Sequence, residues 1–133
     1  MTESILILDR GIPNVVLRLP KNASGDFYTT GHCDKNGDWS GDCLYCNLPE
    51  AEAPLLLAEL IGDNLDTYFV RQPNTDEEIS QAIAATTVCC VDAVRYGGRD
   101  KAIIKRVHPN VRDYKITLIG RVVPIVSPWW KLW

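Results

Sequence analysis

Residues 75–98 read TDEEISQAIAATTVCCVDAVRYGG, and the stretch changes period part-way along. Thr75-Asp-Glu-Glu78 is a capping box: the threonine oxygen accepts from a helix-start amide while Glu78 reaches back towards the threonine amide. Ile79, Ala82 and Ile83 follow at helical spacing, although Thr86 weakens the apolar stripe at its end. The predicted helix carries the chain to the adjacent pair Cys89 and Cys90. The segment DAVRYGG then closes the unit at Gly97-Gly98.

Immediately upstream, DTYFVRQP (66–73) reads as a strand of β-branched and aromatic residues stopped by Pro73. Before it, EAEAPLLLAEL (50–60) has the propensity of a short helix, with Pro54 tolerable in its first turn and Leu55, Leu56 and Leu57 giving an apolar face. Downstream, RDKAIIKRVHP (99–109) predicts a second short helix stopped before Pro109, and YKITLIGRVVPIV (114–126) a long β run. At the start, SILILDRG (4–11) and NVVLRLP (14–20) read as the two strands of an opening hairpin. Between Pro20 and Asp42 only Phe27, Tyr28 and Trp39 are large packing residues, which predicts a loop region. The order is mixed. It suggests an α+β sandwich, one mostly antiparallel sheet with helices on one face and strand extensions at both ends.

With 133 residues, 46% of them apolar and 23% charged, the chain has the size and composition of a single globular domain over 1–133, its two halves sharing similar chemistry. A net charge of −3 and a pI near 5.3 lack the basic stripe that phosphate neutralisation requires, so nucleic acid is not an expected partner. No charged segment leads into an apolar run long enough to cross a bilayer, which suggests a cytoplasmic protein. Asn22-Ala-Ser24 matches a glycosylation acceptor, but such a triplet is common by chance.

Five cysteines make an odd set, and a reducing compartment leaves metal ligation or buried thiols to explain them. Cys43-Leu-Tyr-Cys46 is a C-x-x-C pair whose thiolates can face one ion. A redox dithiol expects that motif at a helix start after a βαβ unit, whereas here Pro49 follows three residues after Cys46 and no βαβ pattern precedes it. Zinc finds enough donors in His32, Cys33, Cys43, Cys46, Cys89 and Cys90, but the second half offers adjacent cysteines instead of a second spaced pair.

The stretch from APLLLAEL through DTYFVRQPNTDEEISQAIAATTVCCVDAVRYGG resembles the single-cluster bacterial-type ferredoxins. In that family a C-x-x-C-x-x-C run leads into an Ala-Pro dipeptide and an apolar helix, and a final cysteine stands in a C-P-V-x-A-I context. Cys43 and Cys46 match the first two cysteines, Ala53-Pro54 the dipeptide, and Cys89-Cys90-Val-Asp-Ala-Val94 the closing motif, with Cys90 in the proline position. Pro49 stands where the third cysteine belongs. The resemblance covers about residues 40–98, leaving 1–39 and 99–133 as extensions.

The resemblance implies a ferredoxin-like fold holding an iron-sulfur cluster, 4Fe-4S or 3Fe-4S, ligated by Cys43, Cys46 and Cys89, and a one-electron carrier or redox accessory that docks to a protein redox partner. Cys33 is the preferred substitute for the missing ligand, with His32 and Cys90 as further substitutes. The alternative is a degenerate ferredoxin-fold binding or structural module with zinc or no metal. No Ser/His/Asp grouping or phosphate-cradling loop points to an enzyme. Asp76, Glu77 and Glu78 suit a helix start, His108 a helix end, and the tail VSPWWKLW either packing on the sheet or an interface patch.

Overall fold

The computed structural model describes residues 18–42, 47–89 and 92–125. Cys43, Cys46, Cys90, the tryptophan tail and the opening hairpin up to residue 17 lie outside the described residues; of the hairpin's expected second strand, Arg18 bridges Thr30 in antiparallel fashion and Leu19 is buried. Within them the protein is mixed α and β, with small antiparallel ribbons and few helices.

The central ribbon pairs β1 (Phe27–Thr29) with β4 (Val94–Tyr96), antiparallel, in the register Phe27 to Tyr96, Tyr28 to Arg95 and Thr29 to Val94. Every residue of both strands is buried, the charged Arg95 of β4 included, so neither strand presents a polar face to solvent. A second ribbon joins β2 (Gly31–Cys33) to β3 (Trp39–Gly41), and a third joins β5 (Tyr114–Ile116) to β6 (Val122–Pro124). The three ribbons are separate two-stranded sheets, where one continuous sheet was expected.

Side chains complete the central layer. Asn22 Oδ1 accepts from the amides of Thr29 and Phe69 at 3.2 and 2.9 Å, and its Nδ2 donates to the carbonyls of Leu19 and Thr29. Gln72 does the same at the far end: it accepts from Phe27 N at 3.0 Å and donates to the carbonyls of Ala23 and Phe27. A carboxamide carries the same donor and acceptor as a peptide unit, so these two residues stand in for the missing rungs between β1 and the extended 67–72 segment. Gly25, at φ 145°, makes room for this, because a Cβ there would lie 2.2 Å from Gln72 Cγ. The Asn22 amide of the glycosylation triplet is thereby engaged inside the fold.

The helices are α1 (Leu48–Glu52), α2 (Asp76–Val88) and α3 (Lys101–Ile104), followed by a 3₁₀ turn at Pro109–Val111. The threonine half of the α2 cap is as expected, with Thr75 Oγ1 accepting from Glu78 N at 3.1 Å, but the Glu78 carboxylate accepts from the amide of Asn74 at 2.8 Å, one residue before the Thr75 amide that the capping box predicts. Thr86 closes its own hydroxyl onto the carbonyl of Ile83, which lets the helix bury a threonine where the apolar stripe fades. The core gathers Leu56, Phe69, Ala82, Ala85, Val94, Ile104 and Val111 around the rings of Phe27 and Tyr96, whose centroids are 4.8 Å apart.

Several expectations shift. The Pro20–Asp42 loop contains three strands. The helix expected at 50–60 occupies 48–52 instead and uses Pro49, not Pro54, in its first turn; proline disfavours helical backbone in the residue before it, and Ala53 sits at φ −134°. Leu57 then bridges Phe69, so the DTYFVRQP strand is reduced to one bridge plus the side-chain rungs. The run at 114–126 breaks at Leu118–Gly120 into the β5–β6 hairpin. His108 caps the 3₁₀ turn after it, with Nδ1 accepting from Asn110 N at 3.0 Å.

Candidate functional site

Cys89 follows α2 directly and is buried, 4% exposed. The chain curls through Asp92, whose φ is 56°, and returns the amide of Ala93 to Cys89 Sγ at 3.3 Å. Apolar packing around a sulfur that receives a backbone N–H suits a metal-bound thiolate and a buried core thiol alike, because the amide stabilises negative charge on sulfur without requiring it.

Hydrogen bonds lead from that turn to the C-x-x-C segment. Ala93 O accepts from Thr30 N at 2.8 Å, and Thr30 O accepts from Asp42 N at 3.0 Å. Asp42 is the residue before Cys43. On the other side, Asn47 at φ 64° leads into α1, which packs against α2. Both described flanks of the C-x-x-C segment are therefore fastened to elements that reach Cys89. Pro49 is fully buried in the first turn of α1, and its carbonyl accepts from Ala53 N at 3.0 Å.

Of the two upstream substitutes, Cys33 is exposed and its Sγ lies 3.4 Å from Asp34 O. His32 is tied by Nδ1 to Asp42 Oδ1 at 3.0 Å. Neighbours on a strand point to opposite faces. Cys33 and His32 consequently cannot both turn towards one centre while β2 keeps its pairing, and His32 is the one held against the residue before Cys43. Among the described residues no three His, Cys, Asp or Glu side chains converge as a ready metal site.

Two polar groupings lie outside the candidate residues that the sequence points to. Glu50, 7% exposed, accepts from the Thr67 hydroxyl, while its other oxygen, Oε1, is buried with no hydrogen-bond partner among the described residues. It borders a cleft of about 290 Å³ with Asn47, Leu57, Glu59 and Ile61. The sequence predicts Glu50 as a helix residue, and only its place beside Pro49 in the first turn of α1 marks it as inward-facing. The second grouping, Tyr28, Arg95 and Asp113, is a closed network of buried polar atoms. Arg95 inside the apolar β segment DAVRYGG was its trace in the sequence.

No helix among the described residues is long and apolar enough to cross a membrane. Comparison with protein-family models, with curated proteins and with solved structures finds no match for this chain.

Proposed function

We propose that this chain is a ferredoxin-like iron-sulfur protein with Cys43, Cys46 and Cys89 as thiolate ligands, acting in the cytoplasm as a one-electron carrier or redox accessory to a protein partner. The observation that carries the reading is the hydrogen-bonded path from Cys89 Sγ through Ala93 and Thr30 to Asp42, next to Cys43. With α1 packed on α2 at the other flank, the path supports a ferredoxin-like return of the C-x-x-C segment to the final cysteine. A bound cluster would supply one-electron chemistry. The chain's own contribution is burial and amide donation, which set the potential.

Pro49 fills the third-cysteine position as a buried helix-start residue, so the reading has three family-matched thiolates and draws its fourth donor from β2. Strand alternation allows Cys33 or His32 in that role but not both. The second reading, a ferredoxin-fold binding or structural module with zinc or no metal, is favoured by the placement of Cys89 in the apolar core.

Metal and sulfide analysis with an absorption spectrum, on protein purified without oxygen, separates the two. Iron with sulfide and a visible band that bleaches on reduction are expected, lost in Cys43→Ser and Cys89→Ser and altered by either Cys33→Ser or His32→Ala alone. A colourless, iron-free protein would remove electron transfer and leave the module, with zinc content deciding whether the thiolates hold a structural ion.

A further inference from the structure

Residues 99–133 hold eight of the fourteen Lys and Arg but only two of the seventeen Asp and Glu. The net charge of −3 is thus the sum of an acidic first part and a basic last part, and the two halves do not share the same chemistry. Within the basic part, Lys101, Lys105, Lys115 and Arg121 are exposed, and α3 packs against β5. The Lys101 ammonium comes within 3.9 Å of where a Cβ on Gly120 would lie, which brings it to the end of the β5–β6 hairpin.

That end is a closed turn. Gly120 N donates to Thr117 O at 2.9 Å, Thr117 N to Arg121 O at 2.8 Å, and Arg121 N to Thr117 Oγ1 at 3.0 Å. Gly120 takes the left-handed position, at φ 85°, that such a hairpin turn demands. The central positions of a turn are ordinarily polar or small, since they project into water. Here they are Leu118 and Ile119, 106% and 80% exposed, while Tyr114, Ile116 and Val122 of the same hairpin pack against the core. The fold uses the hairpin's other apolar residues and leaves these two out.

We propose that the β5–β6 tip docks on an anionic lipid bilayer, with Leu118 and Ile119 entering the boundary between head groups and acyl chains while Lys101, Lys115 and Arg121 meet the lipid phosphates. This site is separate from the cysteines and does not depend on them. A bilayer fits the tip better than a nucleic acid, because bases are held by stacking on aromatic rings or by hydrogen bonds and the tip offers aliphatic carbon. Two side chains bury little hydrocarbon, so docking needs the cations as well and is reversible, salt-sensitive and dependent on lipid composition.

The test is co-sedimentation of the full chain with vesicles of phosphatidylcholine alone and of phosphatidylcholine mixed equally with phosphatidylglycerol, with a duplex oligonucleotide as a second probe. The protein is expected to pellet with the mixed vesicles, to stay in solution with phosphatidylcholine, and to be released by salt at about 0.5 M, where screening lengths fall to a few ångströms. Leu118→Asp with Ile119→Asp should lower partition by about tenfold or more with an unchanged circular dichroism spectrum, since the replaced side chains contact water. Lys115→Glu with Arg121→Glu should do the same. Failure to pellet with the anionic vesicles, equal partition of the aspartate variant, or binding to the oligonucleotide in place of vesicles would each overturn the proposal.

Discussion

Arg95 and Asp113 form an ion pair inside the protein, with NH2 to Oδ1 at 2.9 Å and side chains only 7% and 10% exposed. Tyr28 donates its hydroxyl to the other carboxylate oxygen at 2.6 Å, and Arg95 spends its remaining donors on the Tyr28 hydroxyl and the carbonyls of Asn110 and Arg112. One network thereby ties β1, β4 and the chain entering β5. Removing one member leaves the opposite charge buried and unpaired. Asp113→Ala is expected to cost about 3 to 5 kcal/mol in denaturant unfolding, whereas replacing Arg95 and Asp113 together by Met and Leu should cost much less.

The same network governs behaviour in alkali. Burial first, then the Asp113 carboxylate, pushes the Tyr28 hydroxyl well above the ordinary phenol range. A group whose pKa is raised by folding contributes stability that is present below the unfolded value, near 10, and is lost as pH rises above it. Phenolate absorbance should therefore show at least one tyrosine resisting ionisation until the protein unfolds. Tyr28→Phe should remove that resistant step, and its persistence would assign it elsewhere.

At the acid end, Glu78 is held down to about 2, chiefly by its hydrogen bonds to the Arg71 guanidinium and next by the Asn74 amide. Here the sign is opposite. The stabilisation is present above the ordinary carboxylate range, near pH 4.5, and is lost as pH falls from there towards 2. Thermal midpoints of the wild type and Glu78→Gln should differ most at neutral pH and converge below about pH 2. A constant difference across that window would mean that the glutamate acts through packing alone.

Asn22 offers a sharper test of the side-chain rungs. Asn22→Ala leaves the Thr29 and Phe69 amides facing a partly buried space without their acceptor, a loss expected to be about 3 kcal/mol. Asn22→Asp keeps the acceptor but turns an oxygen towards the Leu19 and Thr29 carbonyls in place of the donor, so its loss should be the smaller one when compared in acid, with the carboxyl protonated and able to donate. If the two variants lose equal stability, the acceptor is not what Asn22 provides.

The helix α2 was legible because its signals are local: Thr75 and Glu78 are three residues apart, and the apolar positions repeat at helical spacing. The strand β1 was not. Phe27, Tyr28 and Thr29 are buried on both faces and so show no period, and their pairing with Val94–Tyr96 is a non-local fact. Asn22 and Gln72 were invisible for the same reason, since nothing marks a carboxamide as a peptide mimic until both segments it joins are in place. At the candidate site the cysteine spacing could be read directly. Which of His32 and Cys33 faces Asp42 depended on a strand that the glycine-rich, polar composition disguised.

The β2–β3 ribbon is exposed from His32 to Asp38 and is held at its base, through Thr30, Gly41 and Asp42. Amide exchange is expected to find it less protected than the body it stands on, because exposed rungs can open by a local excursion that leaves the buried β1–β4 pair intact. A donor carried on such a lever can be drawn towards a metal, or released from it, at the energetic scale of loop motion and not of global unfolding. The two candidate donors, His32 and Cys33, thus sit on an exposed ribbon whose opening need not disturb the buried β1–β4 pair.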